Sequence, residues 1–203
     1  MDAVAVRELG RRNHAGQSGV AMTRVQLAAA ASLAALALAT PARAEPLQPL
    51  RVEIGVAAPI ADVWDAWTTS AGAQTFFGPR AHIELARGGA YDVAFQYDAA
   101  RGQPHAEGLH VLSYVPGEMI SFEWAAPTTL PAIRKRGASS FVVIQLTSVG
   151  PKATKVVLHH LGWAGEGAEW TRYRSYFQRV WPLVLGRLQR RFAEGKPIDF
   201  TRP

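Results

Sequence analysis

Hydrophobic and polar residues alternate along several segments of the chain, with the period of a half-buried β-strand. The clearest case is residues 91–97, where apolar side chains occupy every second position. The same period predicts further strands at residues 51–56, 82–86, 105–115, 118–125, 139–148 and 153–161. Several are joined by short turns that contain glycine or proline, so we expect consecutive strands to pair as an antiparallel sheet.

Two other parts of the chain repeat their apolar residues at spacings of three and four, the period of an amphipathic helix. The first covers residues 59–68, and a short second helix is expected from Ser70 to Phe76. The last covers about residues 166–193 and carries an apolar stripe of Trp170, Tyr173, Phe177, Trp181, Val184, Leu188 and Phe192. Because Pro182 removes a helix hydrogen bond, we expect a kink there or two abutting helices.

This order of elements predicts an α+β fold. A curved antiparallel sheet should wrap on the long C-terminal helix, with two short helices after the first strand. Because the sheet bends, the helix need not touch it everywhere, and we expect a cavity in the space between them. We place this single domain at residues 45–197 and a tail at residues 198–203.

Residues 1–44 differ from the rest of the chain. An uncharged run of 13 residues, Leu27–Ala39, follows Arg24, and small residues stand at Ala42 and Ala44. These are the features of a secretory signal peptide. The run is shorter than the roughly 20 residues that span a bilayer. We therefore predict a leader at 1–44, starting at Met1 or Met22, and export to the periplasm or the medium, with no membrane span in the processed protein.

The amino-acid composition limits the kinds of site and partner that the protein can have. The absence of cysteine excludes disulfides, thiolate nucleophiles and Cys-ligated zinc. Residues 1–44 hold five basic and two acidic residues, so the net charge of +6 falls to +3 without them. That charge gives no broad cationic field, and we expect no nucleic-acid partner. The basic cluster at residues 134–136 is interpreted as part of a solvated loop.

Three stretches carry a resemblance to a known family. They are DVWDAWT at 62–68 with FFGP at 76–79, GG at 88–89 followed by YDV at 91–93, and EG at 107–108 leading through PG at 116–117 to FEW at 122–124. In this order they resemble the START-like, or Bet v 1-like, helix-grip fold of the SRPBCC superfamily. The branch is the one named for homology to the heat-shock-protein-90 ATPase activator, and the resemblance covers about residues 51–195.

The resemblance implies a cavity for an apolar or amphipathic ligand. The name of the branch also implies a chaperone partner. An exported protein would not meet a cytosolic chaperone, so we do not expect that partner here.

Histidines are the main candidates for chemistry. His159 and His160 are neighbours on a strand and should point to opposite faces, so they cannot hold one metal ion together. His160 is expected to point inward, and His110, which has the parity of Leu112, could do the same. No H-x-H, H-E-x-x-H, G-x-S-x-G or phosphate-loop motif is present. We therefore assign no catalytic residue, metal or cofactor.

The expected function is binding of a small hydrophobic ligand under the last helix. Two alternatives stay open: a cavity enzyme of the cyclase, dehydratase or hydrolase type with a His as acid or base, and a protein-binding module that uses the loop at 126–138. The predicted cavity lining consists of Trp67, Phe95, Tyr97, His110, Leu112, Phe122, Trp124, His160, Trp170, Tyr173, Phe177 and Trp181.

Overall fold

A computed structural model of the chain describes residues 47–95, 105–106, 108–163 and 165–201. The predicted leader and Tyr97 lie outside these ranges. The strands are β1 (Leu50–Val56), β2 (Arg80–Ile83), β3 (Tyr91–Ala94), β4 (His105–Ala106), β5 (Val111–Val115), β6 (Met119–Ala125), β7 (Ala138–Gly150) and β8 (Ala153–Leu161). The helices are α1 (Ile60–Thr68), α2 (Ser70–Ala73), α3 (Pro131–Arg134) and α4 (Ala168–Glu194).

The strands form two antiparallel sheets. Five strands make the larger one in the order β1-β8-β7-β6-β5, and the smaller one has the order β2-β3-β4. The first strand of the chain thus pairs with the last, with Leu50 opposite His160. A bridge between Ala90 and His110 and a 2.8 Å hydrogen bond from the Tyr91 N–H to the Leu109 carbonyl join the two sheets. The predicted antiparallel pairing is confirmed.

α4 is one continuous helix through Pro182. The expected alternative of two abutting helices is therefore wrong. Pro182 and Gln178 are both exposed, so the carbonyl that loses its partner lies on the solvent side of the helix, where water can bond to it. The helix ends at Gly195, whose φ of 68° is left-handed. None of the helices in the described ranges is both long and apolar enough to cross a membrane.

The core lies between α4 and the concave face of the large sheet, and it is rich in aromatic rings. All but one of the seven residues in the predicted stripe of α4 are buried, Phe192 being half-buried. α1 closes one end of this core with Trp67, which meets Phe76 and Phe77 edge to face. This is the helix-grip arrangement expected from the sequence, with the two short helices following β1.

The residues after α4 fold back on the domain. The Ile198 N–H donates a 2.8 Å hydrogen bond to the carbonyl of Thr75, just after α2. The Phe200 ring lies 5.5 Å from the guanidinium carbon of Arg187 on α4. The segment predicted as a tail is thus part of the packed structure up to Phe200, and it brings an aromatic ring to one side of α4.

Candidate functional site

A pocket of about 290 Å³ opens between one flank of α4, the end of β6 and the segment that contains α3. This volume is just below the range of about 300–1,000 Å³ that is typical of sites for small molecules. The residues that line it are Phe77, Phe95, Ala106, Trp124, Ala125, Ala126, Pro127, Arg134, Tyr176, Phe177, Val180, Trp181, Leu183, Val184 and Arg187.

The floor of the pocket is a set of aromatic rings in mutual contact. Phe77 stacks on Trp124 with ring centroids 5.6 Å apart, and Trp124 lies 5.3 Å from Trp181. Trp181 in turn stacks on Phe177 at 5.6 Å. Phe95 meets both Phe77 and Trp124 edge to face. Because each ring packs against at least two others, the floor is rigid and presents a broad apolar surface.

One wall is a flank of α4 that runs beside its core stripe. Tyr176, Val180, Leu183 and Arg187 follow one another at three- and four-residue spacing, which places them on one side of the helix. Leu183 is the most exposed large apolar residue of this wall, with 67% of its surface accessible. An apolar side chain so exposed beside a concave apolar surface marks the mouth of the pocket.

The opposite wall comes from the chain that leaves β6. It consists of the small residues Ala125, Ala126 and Pro127, which leave space that larger side chains would fill. α3 follows, and Nη1 of Arg134 donates a 2.7 Å hydrogen bond to the Ala126 carbonyl. This bond joins two parts of the segment that the sequence predicted as a loop, residues 126–138, and so holds α3 close to the start of the segment.

A buried polar network lies next to the aromatic floor. Ser140 Oγ is 2.7 Å from His160 Nε2, 2.6 Å from the Tyr173 hydroxyl and 3.1 Å from the Trp124 carbonyl. The indole N–H of Trp181 donates to His160 Nδ1 at 2.9 Å. The network joins β6, β7, β8 and α4, so it holds the pocket floor to the sheet.

The hydrogen bonds of this network determine which nitrogen of the His160 ring carries the proton. An indole nitrogen can only donate, so Nδ1 of His160 is the acceptor and the proton of the neutral ring is on Nε2. Ser140 then accepts from His160 and donates to the Trp124 carbonyl. Burial lowers the pKa of His160 well below its ordinary value, which keeps the ring neutral. With its proton already on Nε2, His160 cannot act as a base toward Ser140.

The predicted lining residues other than Tyr97, which lies outside the described ranges, divide into three groups. Phe95, Trp124, Phe177 and Trp181 line the pocket. Trp67, Phe122, His160, Trp170 and Tyr173 are buried, but they belong to the core and not to the pocket wall. His110 and Leu112 are on the exposed outer surface.

The inward orientation suggested for His110 and Leu112 is wrong. His110 is on the outer side, with 51% of its side chain accessible, and its Nδ1 lies 2.8 Å from Glu123 Oε2. The prediction treated residues 105–115 as one strand, whereas β4 and β5 belong to different sheets. The alternation of buried and exposed residues therefore starts anew in β5, where Val111 is buried and Leu112 is exposed. The pairing of β5 with β6 also shifts register between Val111 and Ser113.

Sequence reasoning missed most of the lining residues, among them four on the flank of α4. Tyr176, Val180, Leu183 and Arg187 repeat at helical spacing beside the aromatic stripe. This second row of residues at helical spacing is the sequence feature from which the wall of the pocket could have been predicted. No grouping of His, Asp and Glu suited to a metal ion occurs within the described ranges.

Comparisons with known proteins agree with this architecture. No curated protein matches the chain. Among solved structures, the protein MLL2253 from Mesorhizobium loti superposes with a TM-score of 0.56 at 19% identity, over 70% of this chain and 95% of that one. The Aha1 dimer from Colwellia psychrerythraea gives 0.54 at 16% identity, over 72% and 96%. DynU16, from the dynemicin biosynthetic locus, gives 0.54 at 23% identity, over 75% of this chain and 49% of its own.

At these identities the structural neighbours establish the fold alone. A sequence-family match goes further. The family described as "Activator of Hsp90 ATPase homolog 1-like protein" matches residues 57–193, which run from the end of β1 almost to the end of α4. This match covers well over half of the chain, so the protein belongs to the Activator of Hsp90 ATPase homolog 1-like family of the SRPBCC superfamily.

Proposed function

We propose that this protein binds a small hydrophobic or amphipathic molecule in the pocket beside α4. The observation that carries the proposal is the aromatic floor, a connected set of rings that faces an open space of about 290 Å³. Sites for small molecules are concave and mostly apolar, with a few polar groups that orient the ligand. This pocket has that composition.

The energetic argument is that the pocket offers apolar surface that a guest can cover. Each Å² of apolar surface removed from water contributes about 25 cal/mol. The rings of Trp124 and Trp181 are already held in place by their neighbours, so little side-chain entropy is lost when a ligand packs on them. A flat or ring-bearing guest would also gain stacking contacts.

Binding is favoured over catalysis by what lines the pocket. General acid–base catalysis needs a group that exchanges protons near neutral pH, within reach of the substrate. No His, Asp or Glu is among the described lining residues. His160, the inward histidine, is behind the floor and its two ring nitrogens are engaged. The cavity-enzyme alternative, which relies on a His as acid or base, therefore finds no such residue among the described residues that line the pocket.

The experiment is a titration with N-phenyl-1-naphthylamine, an uncharged dye that fluoresces in apolar surroundings. Protein purified without detergent is first examined by native mass spectrometry for a molecule that travels with it. Val180→Trp places a large ring at a half-buried position in the pocket wall. We expect it to weaken dye binding by about tenfold, which corresponds to about 1.4 kcal/mol.

Leu112→Trp is the matched control, because it adds the same ring on the exposed outer surface. It should leave the dye affinity within about twofold of the wild type. A wild-type protein that does not enhance the dye emission, or two variants that weaken it equally, would count against the proposal.

A further inference from the structure

The charged residues that line the pocket within the described ranges are all basic. Among the described lining residues only Arg134 and Arg187 carry a charge, and the others are apolar apart from the Tyr176 hydroxyl. Building on the function proposed above, we propose that the ligand is an anionic amphiphile: an apolar, ring-bearing body on the aromatic floor and an acidic head group bound by Arg187.

The surroundings of Arg187 leave its charge without an anionic partner. It is half-buried on α4, and none of the ion pairs between described residues includes it. The Phe200 ring lies 5.5 Å from its guanidinium carbon. Such a contact orients the planar guanidinium while leaving its N–H groups available to a ligand.

Electrostatics favours an anion at this position. Burial lowers the pKa of Arg187, and the neighbouring positive charge of Arg190 lowers it further. An arginine stays protonated even so, and the partly desolvated cation is then destabilised. A carboxylate or sulfonate in the pocket would offset that cost through charge-assisted hydrogen bonds.

Arg134, on the opposite wall, is the second basic side chain of the described lining. Its Nη1 donates a hydrogen bond to the Ala126 carbonyl. Arg187 also stands about two turns before the end of α4, beyond the last turn where a helix dipole favours cations. The helix end therefore does not account for its position.

The test uses two dyes that differ by one sulfonate. 8-Anilino-1-naphthalenesulfonate is the anionic counterpart of N-phenyl-1-naphthylamine, so the pair separates the apolar from the ionic contribution. We expect the wild type to bind the anionic dye more tightly. Arg187→Gln should weaken the anionic dye about tenfold and the neutral dye less than about twofold.

Arg190→Gln is the matched control. It removes the same charge from an exposed position one turn away that does not line the pocket. It should leave the ratio of the two affinities within about twofold, because the charge of an exposed side chain is screened by salt. Displacement of the neutral dye by 2-naphthoate but not by 2-naphthamide would extend the result to carboxylates.

The outcomes separate the two proposals. If the neutral dye binds but the anionic dye binds no more tightly, or if Arg187→Gln weakens both equally, the anionic ligand is overturned while the apolar pocket stands. The assignment to Arg187 is overturned if only Arg134→Gln changes the ratio. If neither dye binds the wild type, the proposed function itself fails.

Discussion

At the scale of single residues, the buried network around Ser140 explains why a histidine is tolerated in an aromatic core. Each polar group in it has a partner, so none bears the full cost of desolvation. The inward orientation of His160 could be predicted from alternation along β8, but its partners could not. They come from β7 and α4, which are distant in sequence, and only the folded chain brings them together.

His160 should make folding stability depend on pH. Its pKa is lowered well below 6.5 in the folded protein, whereas in the unfolded chain it returns to about 6.5. As the pH falls below 6.5, His160 becomes protonated in the unfolded state but not in the folded state. The unfolding free energy of the wild type therefore decreases by up to about 1.4 kcal/mol per pH unit. The variant His160→Phe should not show this pH dependence. At pH 8 its unfolding free energy should be about 1–3 kcal/mol lower than that of the wild type, because buried polar groups lose their hydrogen-bond partner.

Urea unfolding of both proteins between pH 8 and pH 5 measures this. The gap in unfolding free energy between wild type and variant should narrow as the pH falls, by at most about 2 kcal/mol over this range. His159→Phe is the control, since His159 is on the outer side of the same strand and its pKa is lowered less strongly. A gap for His160→Phe that stays constant with pH would contradict the prediction.

At the scale of elements, the bounds of most helices and strands could be predicted more closely than the sheet to which each strand belongs. The long helix was expected at 166–193 and is found at Ala168–Glu194, because seven apolar residues repeat through it and Gly195 ends it. Residues 105–115 were expected as one strand, yet they supply two strands of different sheets. Periodicity indicates which residues alternate, but it contains no information about which sheet a segment joins.

Replacement by alanine should change the stability of the protein in opposite directions at two helical glycines. A Cβ at Gly186, inside α4, would meet no atom within 4 Å. Gly186→Ala should therefore stabilise the protein by about 0.5–1 kcal/mol by raising helix propensity. At Gly72 a Cβ would collide with backbone atoms of Asp65 and Ala66. Gly72→Ala should destabilise by about 1–3 kcal/mol.

Thermal unfolding followed by circular dichroism compares the two variants with the wild type. An increase of about 2–4 °C in Tm corresponds to each kcal/mol gained in a domain of this size. A decrease in Tm for Gly186→Ala would show that α4 needs the flexibility of glycine near Pro182.

At the scale of the whole molecule, the pocket was the least predictable feature. Alternation and helical spacing identify buried residues, but they do not separate core residues such as Tyr173 and Phe122 from those that line a pocket. Whether a buried ring faces a neighbour or an open space depends on how far α4 stands from the end of β6. That distance is a property of the assembled layers, and the small residues 125–127 contribute to it.

We also propose that the protein is exported and that its leader is removed after Ala44. A signal peptidase recognises small side chains such as those of Ala42 and Ala44 after an apolar run. N-terminal sequencing of protein recovered from the periplasm or medium of an expressing bacterium should begin at Glu45. Ala44→Pro should block the cleavage, whereas recovery of the wild type with Met1 or Met22 intact would contradict it.

The aromatic floor has a practical consequence. Two of the six tryptophans, Trp124 and Trp181, line the pocket, while the other four do not. Occupancy should therefore alter their intrinsic emission and permit energy transfer to a naphthyl dye. The protein thus contains its own optical sensor of ligand binding, and Trp124→Phe would identify the signal that comes from the pocket.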